Sequence, residues 1–217
     1  MSREQAIRCL EIGIEIAGEM IAAGSDLLAC GDMGIGNTTP SSAITSVIAG
    51  ADVAITTGRG TGLDDAGLAH KASVVERAIQ VNKPDAKDGL DILMKVGGFE
   101  IGVLAGVYLG AAAGHRPVIV DGFISGAAAL IAYTIAPEAG NRFIASHQSV
   151  EPGHRISLSH MGLEPLLDLG MRLGEGSGAA LSMHIVEAAA KCLSDMATFA
   201  EAGVSEKIED DGEEAAS

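Results

Sequence analysis

Val118, Ile119 and Val120 stand in unbroken succession between Pro117 and Asp121, and Gly122 follows at once. A strand with one face in water alternates apolar and polar residues, so this run predicts a strand covered on both faces. Such strands belong to parallel sheets, which need helical crossovers. Residues 26–30 form a second apolar run, stopped by Gly31, and residues 142–146 are a third candidate strand. Helical spacing or composition predicts helices over 3–23, 68–80, 88–96, 99–113, 158–172 and 177–200, and an Ala-rich one from Gly122 to Ala136. Another is expected from Thr38 or Pro40 to Ala49. Residues 51–57 are ambiguous and read as extended, and 58–67, with Gly58, Gly60, Gly62 and Gly67, reads as a loop. Strand, loop and helix in repeated order predict an α/β fold with ligands at the carboxyl ends of the strands. No internal repeat or linker divides the chain, so one domain is expected over 1–204.

With 29 glycines, four Phe, two Tyr and no Trp, the core is left to Ala, Ile, Leu, Val and Met, which suits close packing of helices on a sheet. A net charge of -15 argues against nucleic acid or an anionic membrane as partner. Part of that charge is the run Glu206, Glu209, Asp210, Asp211, Glu213 and Glu214, opposed by Lys207, which reads as a disordered acidic tail over 205–217. Cys9, Cys30 and Cys192 lack CxxC spacing and a Cys/His cluster, which suits free thiols in the cytoplasm and predicts no metal site. The most apolar stretch, 101–113, is too short to span a bilayer, and the N-terminus lacks a signal-peptide pattern.

The chemistry concentrates in a few places. Gly31, Asp32, Met33, Gly34, Ile35, Gly36, Asn37, Thr38 and Thr39 lie between an expected strand and an expected helix, where backbone amides can converge on a phosphate. The pattern matches neither a Walker A loop nor the dinucleotide fingerprint. A tight turn with Thr38 or Thr39 capping the helix accounts for it equally well. Lys71 could reach such a phosphate, although a lone helical lysine is more often solvated, and His70 beside it reads as structural. Glu175 stands between Gly174 and Gly176 after Arg172 and Leu173, where sparse side chains let a ligand approach. There it could be desolvated and act as a base, or simply occupy a turn between two helices near a helix dipole. Asp121 ends a strand and precedes Gly122, a usual place for a ligand-facing acid. Ser146, His147 and Ser149 follow the third candidate strand, yet no G-x-S-x-G elbow supports a Ser/His/Asp hydrolase.

Taken in order, 31–39, Lys71, Lys95-Val96-Gly97-Gly98-Phe99, Val120-Asp121-Gly122-Phe123 and 172–178 resemble the nicotinate-nucleotide:dimethylbenzimidazole phosphoribosyltransferases of cobalamin biosynthesis. The resemblance runs from about Gly24 to Ala200. It implies a Rossmann-like parallel sheet flanked by helices, terminal helices contributing to a small helical subdomain, and a homodimer. It further implies transfer of phosphoribose from nicotinate mononucleotide to 5,6-dimethylbenzimidazole, giving nicotinate and α-ribazole 5'-phosphate, without a cofactor. Under it Glu175 is the base, Lys71 supports activity, and Asp32 stands where the family usually has Glu. Met33, Gly34, Ile35, Gly36, Asn37 and Thr38 become the phosphate loop, and Asp121, Gly122, Ser146, Ser149, Leu173, Gly174 and Gly176 line the substrate site. The pyridinium of the nucleotide leaves as a neutral nitrogen, so neither metal nor acid is needed there. As one benzimidazole nitrogen attacks the anomeric carbon the other becomes acidic, and a carboxylate can take its proton. Family members carry a further N-terminal portion holding part of the benzimidazole pocket, so a binding module that keeps the nucleotide site without chemistry is the competing expectation.

Overall fold

The structure, a computed structural model, describes residues 1–204, and the expected acidic tail over 205–217 falls outside them. Three short strands, β1 (Leu28–Cys30), β2 (Val118–Val120) and β3 (Phe143–Ala145), form a parallel sheet in the order β1, β2, β3. Register pairs Cys30 with Val120 and Val120 with Ala145, so all three carboxyl ends lie along one edge. The central strand is buried throughout, as its unbroken apolar run requires.

The helices are α1 (Arg3–Ala22), α2 (Thr38–Ala49), α3 (Val53–Thr56), α4 (Asp65–Asn82), α5 (Gly89–Val96), α6 (Phe99–Ala113), α7 (Phe123–Ile135), α8 (Pro152–His160) and α9 (Ser177–Asp195), of which α2 to α7 lie in the crossovers between strands. A 3-10 turn, Pro137–Arg142, leads into β3. Helix α7 is the most buried, its run from Ala127 to Ala132 having no exposed surface. Helix α1 packs along α6 through small residues. A Cβ at Gly13 would lie 2.0 Å from the Val103 carbonyl oxygen, and one at Gly106 would lie 2.1 Å from that of Leu10. The Gly13→Ala variant is therefore expected to lose about 1–3 kcal/mol of stability, read by urea denaturation, because the two backbones must separate.

Two expectations are corrected. Residues 53–56 are helical rather than extended: the Asp52 carboxylate accepts the Ala54 amide at 2.8 Å and outweighs the β propensity of Val53, Ile55 and Thr56. The helix expected over 158–172 is instead α8, which begins at Pro152 and ends at His160. Gly162 and Gly170 have positive φ, and the backbone between them bonds along β3, with Leu166 N–H donating to Ala145 O and Leu167 N–H to Ser146 O. Pairing with a strand edge defeats an apolar spacing that looks helical in isolation.

The chain divides into Met1–Met183 and a second unit starting at His184. The first holds the sheet and the cleft described below. In the second, the exposed end of α9 carries a Lys191–Glu187 ion pair at helical spacing. No helix among the described residues is long and apolar enough to cross a membrane.

Candidate active site

Because the strands are parallel and in register, Gly31, Asp121 and Ser146 leave the sheet side by side. The loops that follow enclose a cleft of about 940 Å³ at the carboxyl edge. It is bounded on one side by the β1–α2 loop and the first turns of α2 and α4, and on the other by residues 172–175.

On the first side, Asn37 does not cap α2. Its Nδ2 donates to the Asp32 carboxylate at 2.7 Å, and the helix begins with no side-chain cap. The amino end of α2 thus keeps its positive dipole end uncovered by a side chain. Gly34 crosses directly above this pair: a Cβ there would meet Asn37 Nδ2 at 2.2 Å. Met33 and Ile35 extend from the rim, 73% and 91% exposed. Lys71 is buried, not solvated, and its Nζ donates to Thr38 Oγ1 at 2.8 Å and to the Gly58 carbonyl at 2.9 Å. An ammonium has three N–H donors, so one remains for a ligand. Burial lowers the Lys71 pKa, and the negative charge of Glu151 acts in the opposite direction.

On the second side, Glu175 has φ 59°, between Gly174 at 74° and Gly176 at 80°. Three successive left-handed residues curl the chain into the start of α9, and the Glu175 N–H donates to the Asp32 carbonyl at 3.0 Å. The base candidate is therefore tied by its own backbone to the loop across the cleft. A Cβ at Gly31 would lie 2.2 Å from the Gly176 nitrogen, so the two loops touch backbone to backbone. No helix runs directly into Glu175, since α8 ends at His160, which overturns the helix-to-helix turn, and the residue is exposed rather than withdrawn from water.

The remaining sequence candidates separate into two groups. Asp32, Met33, Gly34, Ile35, Gly36, Thr38, Lys71, Asp121, Gly122, Ser149, Leu173, Gly174 and Glu175 line the cleft. Asn37, Ser146 and Gly176 are not among its lining residues and act behind it. Asp121 has a second duty beyond facing the cleft: its oxygens accept Gly176 N–H at 3.0 Å and Ala179 N–H at 2.9 Å, anchoring α9. Ser146 Oγ donates to the Asp121 carbonyl at 2.8 Å and lies 3.0 Å from His147 Nδ1. Its one proton is committed, so His147 Nδ1–H is the donor in that contact and cannot serve as a base toward Ser146. That polarity disposes of the hydrolase. Burial lowers the His147 pKa, with the Asp121 charge opposing, and so favours the neutral ring.

Sequence reasoning passed over Glu151 and Arg59, and gave Arg172 no role beyond its place in the 172–178 motif, yet all three line the cleft. Glu151 had a signal, since Pro152 marks a helix start and an acid there suits the dipole. The exposed Arg59 had none. His70, read as structural, is exposed and lines the cleft.

A parallel sheet whose carboxyl edge gathers a glycine loop, an open helix start, a buried lysine and a carboxylate defines an α/β protein with a cleft at its strand ends. A family model described as Phosphoribosyltransferase matches residues 1–204. The chain belongs to the nicotinate-nucleotide:dimethylbenzimidazole phosphoribosyltransferase family. It is 60% identical over 209 residues to the nicotinate-nucleotide–dimethylbenzimidazole phosphoribosyltransferase of Roseiflexus sp. (strain RS-1), covering 96% of this chain and 59% of the relative. The enzyme of that name from Chloroflexus aggregans gives the same identity and coverage. Among solved structures, CobT from Thermus thermophilus superposes with a TM-score of 0.90 at 45% identity, over 95% of this chain and 62% of that one. The chain thus spans about three fifths of the length of these relatives.

Proposed function

We propose that this chain carries the reaction centre of a phosphoribosyltransferase that moves phosphoribose from nicotinate mononucleotide to 5,6-dimethylbenzimidazole, for cobalamin nucleotide-loop assembly. The observation that supports this reading is that Glu175, the buried Lys71 and the uncapped start of α2 line one cleft. Lys71 and the open end of α2 hold the 5'-phosphate, which fixes the ribose within the cleft. The acceptor lies toward Glu175, and its nitrogen attacks the anomeric carbon from the face opposite the departing nicotinate. A bond from benzimidazole nitrogen to carbon forms as the bond to the pyridinium nitrogen breaks, with inversion to the α configuration. The positive charge moves to the benzimidazole, and Glu175 takes the proton from its other nitrogen.

The test is incubation of the purified chain with both substrates, following nicotinate release and α-ribazole 5'-phosphate. Both products are expected in equal amounts. Nucleotide binding without either product would favour the binding module, a reading that the exposure of Glu175 also suits. Lys71→Ala is expected to weaken nicotinate mononucleotide binding roughly 10- to 100-fold by calorimetry, the usual loss for a hydrogen bond to a charged group. An unchanged Kd would take Lys71 out of the site.

A homodimer in the cytoplasm belongs to the same reading. Exposed Leu193, Met196 and Phe199 support self-association, and the three free cysteines suit a reducing compartment. Sedimentation as a monomer at micromolar concentration would remove the dimer.

A further inference from the structure

Lys71 is held by Thr38 on one side and by the turn over residues 58–60 on the other. The Gly58 carbonyl accepts from Nζ at 2.9 Å, and two residues on, the Gly60 N–H donates to Glu151 Oε1 at 3.0 Å. Residues 58–60 therefore lie between the ammonium and the carboxylate, gripped by each. The separation is a single thickness of backbone: a Cβ at Gly58 would meet Glu151 Oε2 at 2.0 Å, and one at Gly60 would lie 3.6 Å from Lys71 Nζ. Only glycine at 58 leaves room for the carboxylate. Glu151 Oε2 is buried and has no hydrogen-bond partner. A buried carboxylate oxygen without a donor is costly unless a nearby cation offsets its charge.

We propose that Glu151 is a positioning residue, whose carboxylate holds the 58–60 turn beneath Lys71 and serves as the buried counter-charge that keeps the ammonium available to the substrate phosphate. This rests on the function proposed above, in which Lys71 binds that phosphate. The other charged groups near the cleft are otherwise occupied or lie on its open surface. On α4, His70 is exposed; in the turn, Arg59 pairs with Asp65 and donates to the Leu63 carbonyl. From α2 comes only the Thr38 hydroxyl. Asp32 is bonded to Asn37, Asp121 to the start of α9, His147 to Ser146, and Arg172 and Glu175 are exposed. Among the causes acting on Lys71, Glu151 is the one that favours the charged form.

The test compares the intact chain with Glu151→Gln, which keeps an acceptor for the Gly60 N–H and removes the charge. The Lys71 ε-carbon resonance, assigned by its loss in Lys71→Arg, is followed by NMR across alkaline pH. Its midpoint is expected at lower pH in Glu151→Gln than in the wild type. Nicotinate mononucleotide binding should be about fivefold weaker than wild type at alkaline pH, and the difference should shrink as pH falls toward neutrality. A merely structural Glu151 would leave the midpoint in place, and that result overturns the proposal. A second variant keeps the test decisive: Glu151→Asp, which retains the charge, should hold the Lys71 midpoint closer to the wild type than Glu151→Gln does, and equal midpoints in the two variants overturn the proposal. Should the wild-type chain bind no nicotinate mononucleotide, the proposed function fails, while the two NMR measurements still decide whether Glu151 is the counter-charge.

Discussion

Glu175→Gln is expected to lower turnover by roughly two to four orders of magnitude, the usual contribution of a general base, while leaving the Kd for nicotinate mononucleotide close to that of the wild type. The split follows from the geometry. The proposed phosphate anchor consists of Lys71, Thr38 and the start of α2, none of which bonds to the Glu175 side chain. The Glu175 backbone is held by its neighbours Gly174 and Gly176 and by the Asp32 carbonyl, so the amide should adopt the same left-handed position. What Gln lacks is the ability to accept the benzimidazole proton. Steady-state rates paired with calorimetry check both halves, and undiminished turnover would remove Glu175 from the base role.

Acid should unfold this protein early, because two buried imidazoles are kept neutral. His154 has no exposed surface, and its Nδ1 accepts the Ser149 N–H at 3.1 Å. Burial, reinforced by His147 with ring centroids 5.9 Å apart, pushes its pKa down to about 3. An unfolded chain protonates the same ring near pH 6.5, so between pH 6.5 and 3 the unfolded state binds the extra proton. Stability present above pH 6.5 is therefore lost as pH falls through that window. From His154 alone the loss is about 2 kcal/mol between pH 7 and 5, and of the order of 4 kcal/mol by pH 3. His147, shifted the same way, adds to it. Urea denaturation at pH 7 and 5 reads the effect, and His154→Gln should flatten the difference. A wild-type stability that is constant over that interval would mean that these rings are not held neutral.

Both expectations rest on contacts that no stretch of sequence displays. The strand Val118–Val120 is legible because burial on both faces writes itself as three apolar residues in a row. Helices α1 and α6 are legible from periodicity or composition and their glycine ends, and the loop from Gly31 to Asn37 from its glycines between a strand and a helix. These are short-range signals, set by backbone sterics and by which face of an element meets water. The misread stretch over 158–172 shows their limit, since Leu166 and Leu167 took the open edge of β3, an option that existed only once β3 was in place.

What tertiary structure decided is which of these local pieces meet. Lys71 finds Thr38 across 33 residues, Asp121 reaches Gly176 across 55, and Glu151 reaches Gly60 across 91. Each pairing depends on parallel strand order delivering the loops to one edge, which residue spacing does not encode. The buried run of β2 and the glycines beside it specified a parallel α/β sheet with a ligand edge. Only the folded chain settled that Lys71 is buried, that Asp121 anchors the helix behind Glu175, and that Glu151 stands beneath the lysine, because desolvation and hydrogen-bond partners are properties of assembled neighbours.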